Sequence, residues 1–253
     1  MTAAAEALLV VLAGLPGTGD GGVASLLAQV SLEPASHGDR VYVGQVYPLQ
    51  GPRAAPRFAY ERRVRWTEAG ATSTCLTREG SEVVLVDIAE HGPDYALRTF
   101  TEYQLQLQEV AQVEVRGETV AFRVVDRAGT RAATETVTLP VLVGPTVYGF
   151  LYRHWGPLLA GEVVPFRYAV VSRLETVGFE LVRVPAPPGQ VQVEMRASSP
   201  LVRLVVAPIV ITFTEQGALL AYDGRTPMKT GGPGRWTDFE GHVEYALEPA
   251  PFR

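Results

Sequence analysis

Asparagine is absent from this chain of 253 residues, lysine occurs once, at Lys229, and cysteine once, at Cys75. A lone cysteine forbids an intramolecular disulfide and leaves the redox compartment unread. Its expected role is that of a small buried hydrophobe. The near absence of lysine beside 22 basic residues in all reflects a gene rich in G and C, not a function. With a net charge of −5 there is no concentrated basic face for a phosphate backbone, which excludes nucleic acid as a partner. The densest basic run, Arg62, Arg63 and Arg65, lies in an alternating stretch and is expected to be a solvated strand face.

Catalytic signatures are missing too. The chain has no G-x-S-x-G elbow, phosphate loop, dinucleotide glycine fingerprint or H-E-x-x-H motif. His37, His91, His154 and His242 stand far apart, and none has a second His or Cys at helical spacing for a metal. Glu90, His91 and Asp94 flank Gly92 and Pro93, so a surface turn is expected there instead of a cation site. No cofactor or metal is implied. No apolar run reaches the ~20 residues of a membrane-spanning helix.

What is present suits a folded core: apolar residues make up 47% and charged residues 19%. Ala7 to Leu15 has the length of a signal-peptide apolar region, with Pro16 and small residues at Gly22 and Ala24 behind it. Residues 1–28 are therefore expected to be a leader or an unstructured N-terminus, and the protein to be periplasmic or secreted. Glu6 and the lack of Lys or Arg before Arg40 favour the alternative, a cytoplasmic protein.

From Val41 onward short alternating segments are separated by turn residues about every ten positions, the pattern of an all-β, mainly antiparallel fold. The expected architecture is one domain over 40–253, a curved sheet forming a half-barrel or a sandwich of at least eight strands. Turns are expected at Arg116 to Glu118, Asp126 to Thr130, Pro185 to Gly189 and Gln216–Gly217. Leu201 to Thr214 reads as one long apolar strand, and residues 224–237 as a mobile loop. One segment has a helical period: Val147, Phe150, Leu151, Trp155, Leu158 and Leu159 fall at steps of three and four, with Gly161 placed for a C-terminal cap. Gly156 and Pro157 should bend this helix or split it into two turns.

The stretch YRHWGPLLAGE at 152–162 and the strand after it gather aromatic and charged residues. Arg153 and Arg173 could clamp an anion, with His154 as acid or base and Trp155 as a stacking wall. The structural alternative places Trp155 in the core, leaves Arg153 solvated, and pairs Arg173 with Glu162 or Glu175.

The His-Trp pair, the Leu-Leu-Ala-Gly-Glu turn, Pro-Phe and a Ser-Arg-Leu ending, closed by Tyr222, Asp223 and Gly224, resemble an uncharacterised bacterial protein family of envelope location. The resemblance spans roughly residues 140–225, departs from the family pattern at Gly156 and Pro157, and implies no catalytic residue. A looser architectural likeness is to periplasmic half-barrels that carry lipid or lipoprotein chains, although fold alone confers no function. The leading expectation is a non-enzymatic envelope protein binding an apolar or amphipathic molecule at Arg153, His154, Trp155, Arg173 and Tyr222. The rivals are an enzyme acting on a small acidic substrate through Arg153, His154 and Arg173, and a scaffold without a pocket.

Overall fold

The structure is a computed structural model and describes residues 39–246. The leader expected over 1–28 lies outside the described residues. Fifteen strands form a single sheet. They are β1 (Arg40–Pro48), β2 (Phe58–Thr67), β3 (Gly70–Glu79), β4 (Glu82–His91), β5 (Leu97–Gln104), β6 (Glu109–Arg116), β7 (Thr119–Asp126), β8 (Gly129–Thr136), β9 (Val141–Leu142), β10 (Val164–Val170), β11 (Glu175–Val184), β12 (Gln190–Ala197), β13 (Ile209–Thr214), β14 (Leu219–Thr230) and β15 (Thr237–Tyr245). Their order in space follows the chain except at two places: β1 pairs with β15, and β8 and β9, consecutive in the chain, are the two edges of the sheet; β9 lies parallel to β10, whereas the other pairs are antiparallel. Such a meander needs only short turns between neighbours, which is why turn residues recur so evenly along the sequence.

Alternation sets the faces. In β2 the even positions Phe58, Tyr60, Arg62 and Val64 point to the concave side, while Arg63 and Arg65 turn outward. The central part of β4 breaks this rule, since Val84, Leu85, Val86 and Asp87 are all buried and both faces are covered there. The sheet rolls until its ends overlap. A 3-10 turn at Val171–Arg173, after β10, packs on β6 and β7, and Val171 and Leu174 join an apolar cluster with Val113, Val120 and Phe122. Among the described residues no strand ladder joins β8 to the other end. The seam is held by side chains that bond to backbone: Thr176 N–H donates to Glu135 Oε1 at 2.6 Å and Arg131 donates to the Ser172 carbonyl at 3.3 Å.

Two helices rise through the roll. In α1 (Gly144–Arg153) Val147, Tyr148, Phe150 and Leu151 are buried against both halves of the sheet, and Pro145 occupies the first turn, where a missing N–H costs nothing. α2 (Trp155–Leu159) follows directly. The break between them has a cause: in one continuous helix Pro157 would have to donate to the Arg153 carbonyl, and it has no N–H. The expected helical region is thus split in two, one of the outcomes Gly156 and Pro157 imply, and Trp155 is half-buried, its ring edge-on to Phe213 at 5.1 Å.

Three local expectations change. Leu201 to Thr214 is not one strand: α3 (Pro200–Arg203) and a loop precede β13, because Pro200 starts a helical turn and Pro208 interrupts any ladder before it. The loop expected over 224–237 shrinks to 231–236, since 224–230 belong to β14, which is bulged between Thr226 and Lys229 and tied to β5 and the turn after it through Gln104 and Gln106. The turn expected around Gly92 and Pro93 forms at Pro93 and Asp94, both exposed, but His91 ends β4 and is buried.

Candidate functional site

Antiparallel pairing brings Arg62, Cys75, Asp87 and Glu102 side by side on adjacent strands, β2 through β5. All four are on the concave face, so a polar row crosses the interior, with Ser73 and Thr77 buried beside Cys75 on β3. Arg62 is 2% exposed. Its guanidinium lies between the rings of Tyr42 and Tyr148, 4.1 and 4.6 Å from their centroids. One Nη donates to the Pro145 carbonyl at the start of α1, at 3.1 Å, whereas Nε has no hydrogen-bond partner among the described residues. Burial works against the charge on Arg62, the nearby phenols of Tyr60 and Tyr42 and the Cys75 thiol favour it, and the group stays cationic.

Arg62 forms part of the floor of a cavity of about 310 Å³ at the end of the sheet where β1 begins and β2 and β4 end. Arg40 and Arg153 also line it, and no carboxylate does among the described lining residues. Its wall is aromatic. His91 stacks on Tyr95 with ring centroids 5.0 Å apart, and Trp66 stands edge-on to both. His91 Nδ1 donates to the Gly92 carbonyl at 2.9 Å, since that oxygen can only accept. Burial lowers the His91 pKa, so the ring is neutral at physiological pH. Tyr95 lies flat on α1 because Gly149 has no side chain: a Cβ there would fall 1.8 Å from the Tyr95 ring.

The deeper row is poised differently. Burial pushes the Cys75 thiol up to about 12, with nearby Asp87 adding to the shift, and the Sγ sits 3.4 Å from the Tyr60 hydroxyl. It is therefore a protonated, inert thiol. Burial also raises Asp87, and Glu102 raises it further. Glu102 titrates at about 7, lifted by burial and by Glu109 and pulled back by Lys229. Asp87 Oδ1 and Thr77 Oγ1 have no hydrogen-bond partner among the described residues.

No family model and no curated protein matches this chain. Among solved structures it is similar to a β-barrel-like protein of domain of unknown function DUF1849 from Brucella abortus, at 11% identity and a TM-score of 0.39. That alignment covers 83% of this chain and 96% of the other. By its description the neighbour has no assigned function, so it brings no activity.

The expected site residues are dispersed. Arg153 lines the cavity just described and also a second one of about 360 Å³, where His154 and Glu162 join it. His154 Nδ1 donates to the Phe150 carbonyl at 2.8 Å. Trp155 packs beside these cavities without lining either. Arg173 sits beyond the far end of β10, roughly 20 Å of strand away, where it pairs loosely with Glu175 at 3.5 Å on the surface. The structure thus brings Arg153 and His154 together but not Arg173. Tyr222, on β14, bonds the Arg225 carbonyl and packs between two core clusters.

Arg62 was hidden in the sequence as one member of a basic run. Its phase gives it away: Phe58, Tyr60, Val64 and Trp66 are the apolar positions of that strand, and Arg62 falls on the same side.

Among the described residues no helix is long and apolar enough to cross a membrane, and no three His, Cys, Asp or Glu side chains group as metal ligands.

Proposed function

We propose that this protein binds a small amphipathic anion without transforming it: the anionic group pairs with Arg62, and the apolar body lies along Trp66, His91 and Tyr95. The observation that supports this most is a buried guanidinium with a free Nε and no carboxylate within ion-pair distance among the described residues. A charge in that state is costly unless something pairs with it. Arg40 and Arg153 at the rim add attraction for an anion, and the stacked rings offer it a flat apolar wall. A location in the bacterial envelope belongs to the same proposal, supported by the apolar run Ala7 to Leu15. N-terminal sequencing of the protein from its host checks that part, and a mature chain beginning before about Ser25 removes it.

Calorimetric titration with decanoate, decanol and decyltrimethylammonium tests the binding. Decanoate is expected to bind best. Arg62→Met keeps the side-chain bulk and removes the charge, and should weaken decanoate by about 1.5–3 kcal/mol, more than tenfold. It should leave the urea midpoint unchanged or higher, since an apolar group replaces a buried charge. Equal binding of the cationic amphiphile, or an Arg62→Met variant that binds decanoate as well as the parent does, overturns the reading.

A further inference from the structure

At the strand ends away from the arginine-lined cavity, β12 and β13 are joined by residues 198–208, and this connection presents an apolar tip. Leu201, Leu204 and Val205 are 78%, 82% and 81% exposed, whereas no other large hydrophobic residue exceeds 48% among the described residues. The arrangement is not a loose loop. Val202 and Val206 pack against the main apolar cluster. Residues 201, 204 and 205 are three and four apart, so a single helical turn anchored through 202 and 206 turns them outward on one face. Arg203 fastens the turn: it donates to Glu180 Oε1 at 2.6 Å and to the carbonyls of Ala197 at 2.5 Å and Ser198 at 3.3 Å. Its charge is thereby neutralised, and it is the only charged residue from Ser198 to Thr214.

We propose that this tip contacts a lipid bilayer, with Leu201, Leu204 and Val205 entering the interfacial region. Three side chains offer on the order of 400 Å², about half of the ~800 Å² that each partner contributes to a stable protein interface. A bilayer needs no complementary surface and accepts a small protruding tip. It does penalise unbonded backbone groups. Here the N–H groups of Arg203, Val205 and Val206 are already bonded within the turn, to Ser199, Val202 and Val202. Anchoring the turn in advance also removes the ordering cost that a flexible loop would incur on insertion. The charges near the tip are paired, so attraction should depend little on lipid charge.

Flotation of the full chain with phosphatidylcholine vesicles, alone and with an anionic lipid added, tests this. The protein should float with both. The double variant L204S/V205S, and separately Leu201→Ser, should reduce the bound fraction, about tenfold or more for the double variant. Because these side chains are already exposed, the urea midpoint should not move. A parent that stays in solution with both vesicle types overturns the proposal, as does a double variant that floats like the parent. A concentration-dependent dimer that the double variant abolishes would show that the tip serves a second copy and would overturn it equally.

Discussion

Glu102 is the residue whose environment leaves a signature in bulk stability. Burial, with Glu109 adding to it, lifts its pKa from an ordinary 4.5 to about 7. Asp87, its neighbour across the ladder, is raised for the same first reason. An acid raised on folding binds more protons in the folded chain than in the unfolded one between those two values. Its stabilising contribution is therefore complete below pH 4.5 and is lost as the pH rises to about 7. His91, lowered by burial, acts in the opposite sense below its ordinary 6.5, so the Glu102 contribution is read as a difference: the urea midpoint of the parent relative to Glu102→Gln should fall across that window. Asp238, lowered mainly by its bond to Lys229, acts in the opposite sense but below its ordinary 3.8, outside the window. A difference between parent and Glu102→Gln that does not fall from pH 4.5 to 7 would contradict the assignment. Arg173, by contrast, is an exposed residue that pairs loosely with Glu175, as the structural alternative for this stretch expects, and such a pair contributes little to stability.

At the scale of single elements, α1 shows how one glycine shapes a cavity wall. Tyr95 is held at φ 65°, a conformation uncommon for any residue but glycine, and its ring occupies the space that a Cβ at position 149 would fill. Gly149→Ala must push the ring away. We expect it to cost about 1–3 kcal/mol in urea denaturation and to change Trp66 fluorescence, since the Trp66 ring lies 5.5 Å from Tyr95. An unchanged Trp66 spectrum would mean that the wall tolerates the methyl. The helical stripe itself was readable from spacing, and so was its interruption at Pro157. The partner of Gly149 was not: Tyr95 and Gly149 are far apart in sequence, and nothing local marks either as half of a contact. The same holds for the polar row, in which each of Arg62, Cys75, Asp87 and Glu102 sits in a different strand and becomes a neighbour only through register.

For the whole molecule the decisive feature is a sheet that rolls past its own edge without completing a ladder. Side-chain bonds and one apolar cluster close the seam, so it should open before any paired strands do. Glu135→Ala removes the acceptor for Thr176 N–H. Hydrogen exchange at Thr176 should then quicken markedly while the β1–β15 ladder keeps its protection. Exchange at Thr176 equal to that of the parent would place the closure elsewhere.

Strand alternation, turn chemistry and one helical stripe were enough, by themselves, to determine an all-β antiparallel fold with a short helical insert, because period and turn type are local properties of the chain. In 201–214 only the last six residues are strand, and in 224–237 only 231–236 are loop, because prolines and a bulge set the outcome there together with contacts made at a distance. The site was decided by tertiary structure alone. A charge enters the core at Arg62 only because β2 keeps its phase, Tyr42 and Tyr148 arrive from a strand and a helix to enclose it, and Arg40 and Arg153 converge on the same mouth. Such convergence depends on which strands pair and how far the sheet curls, and neither is encoded in any short stretch of sequence.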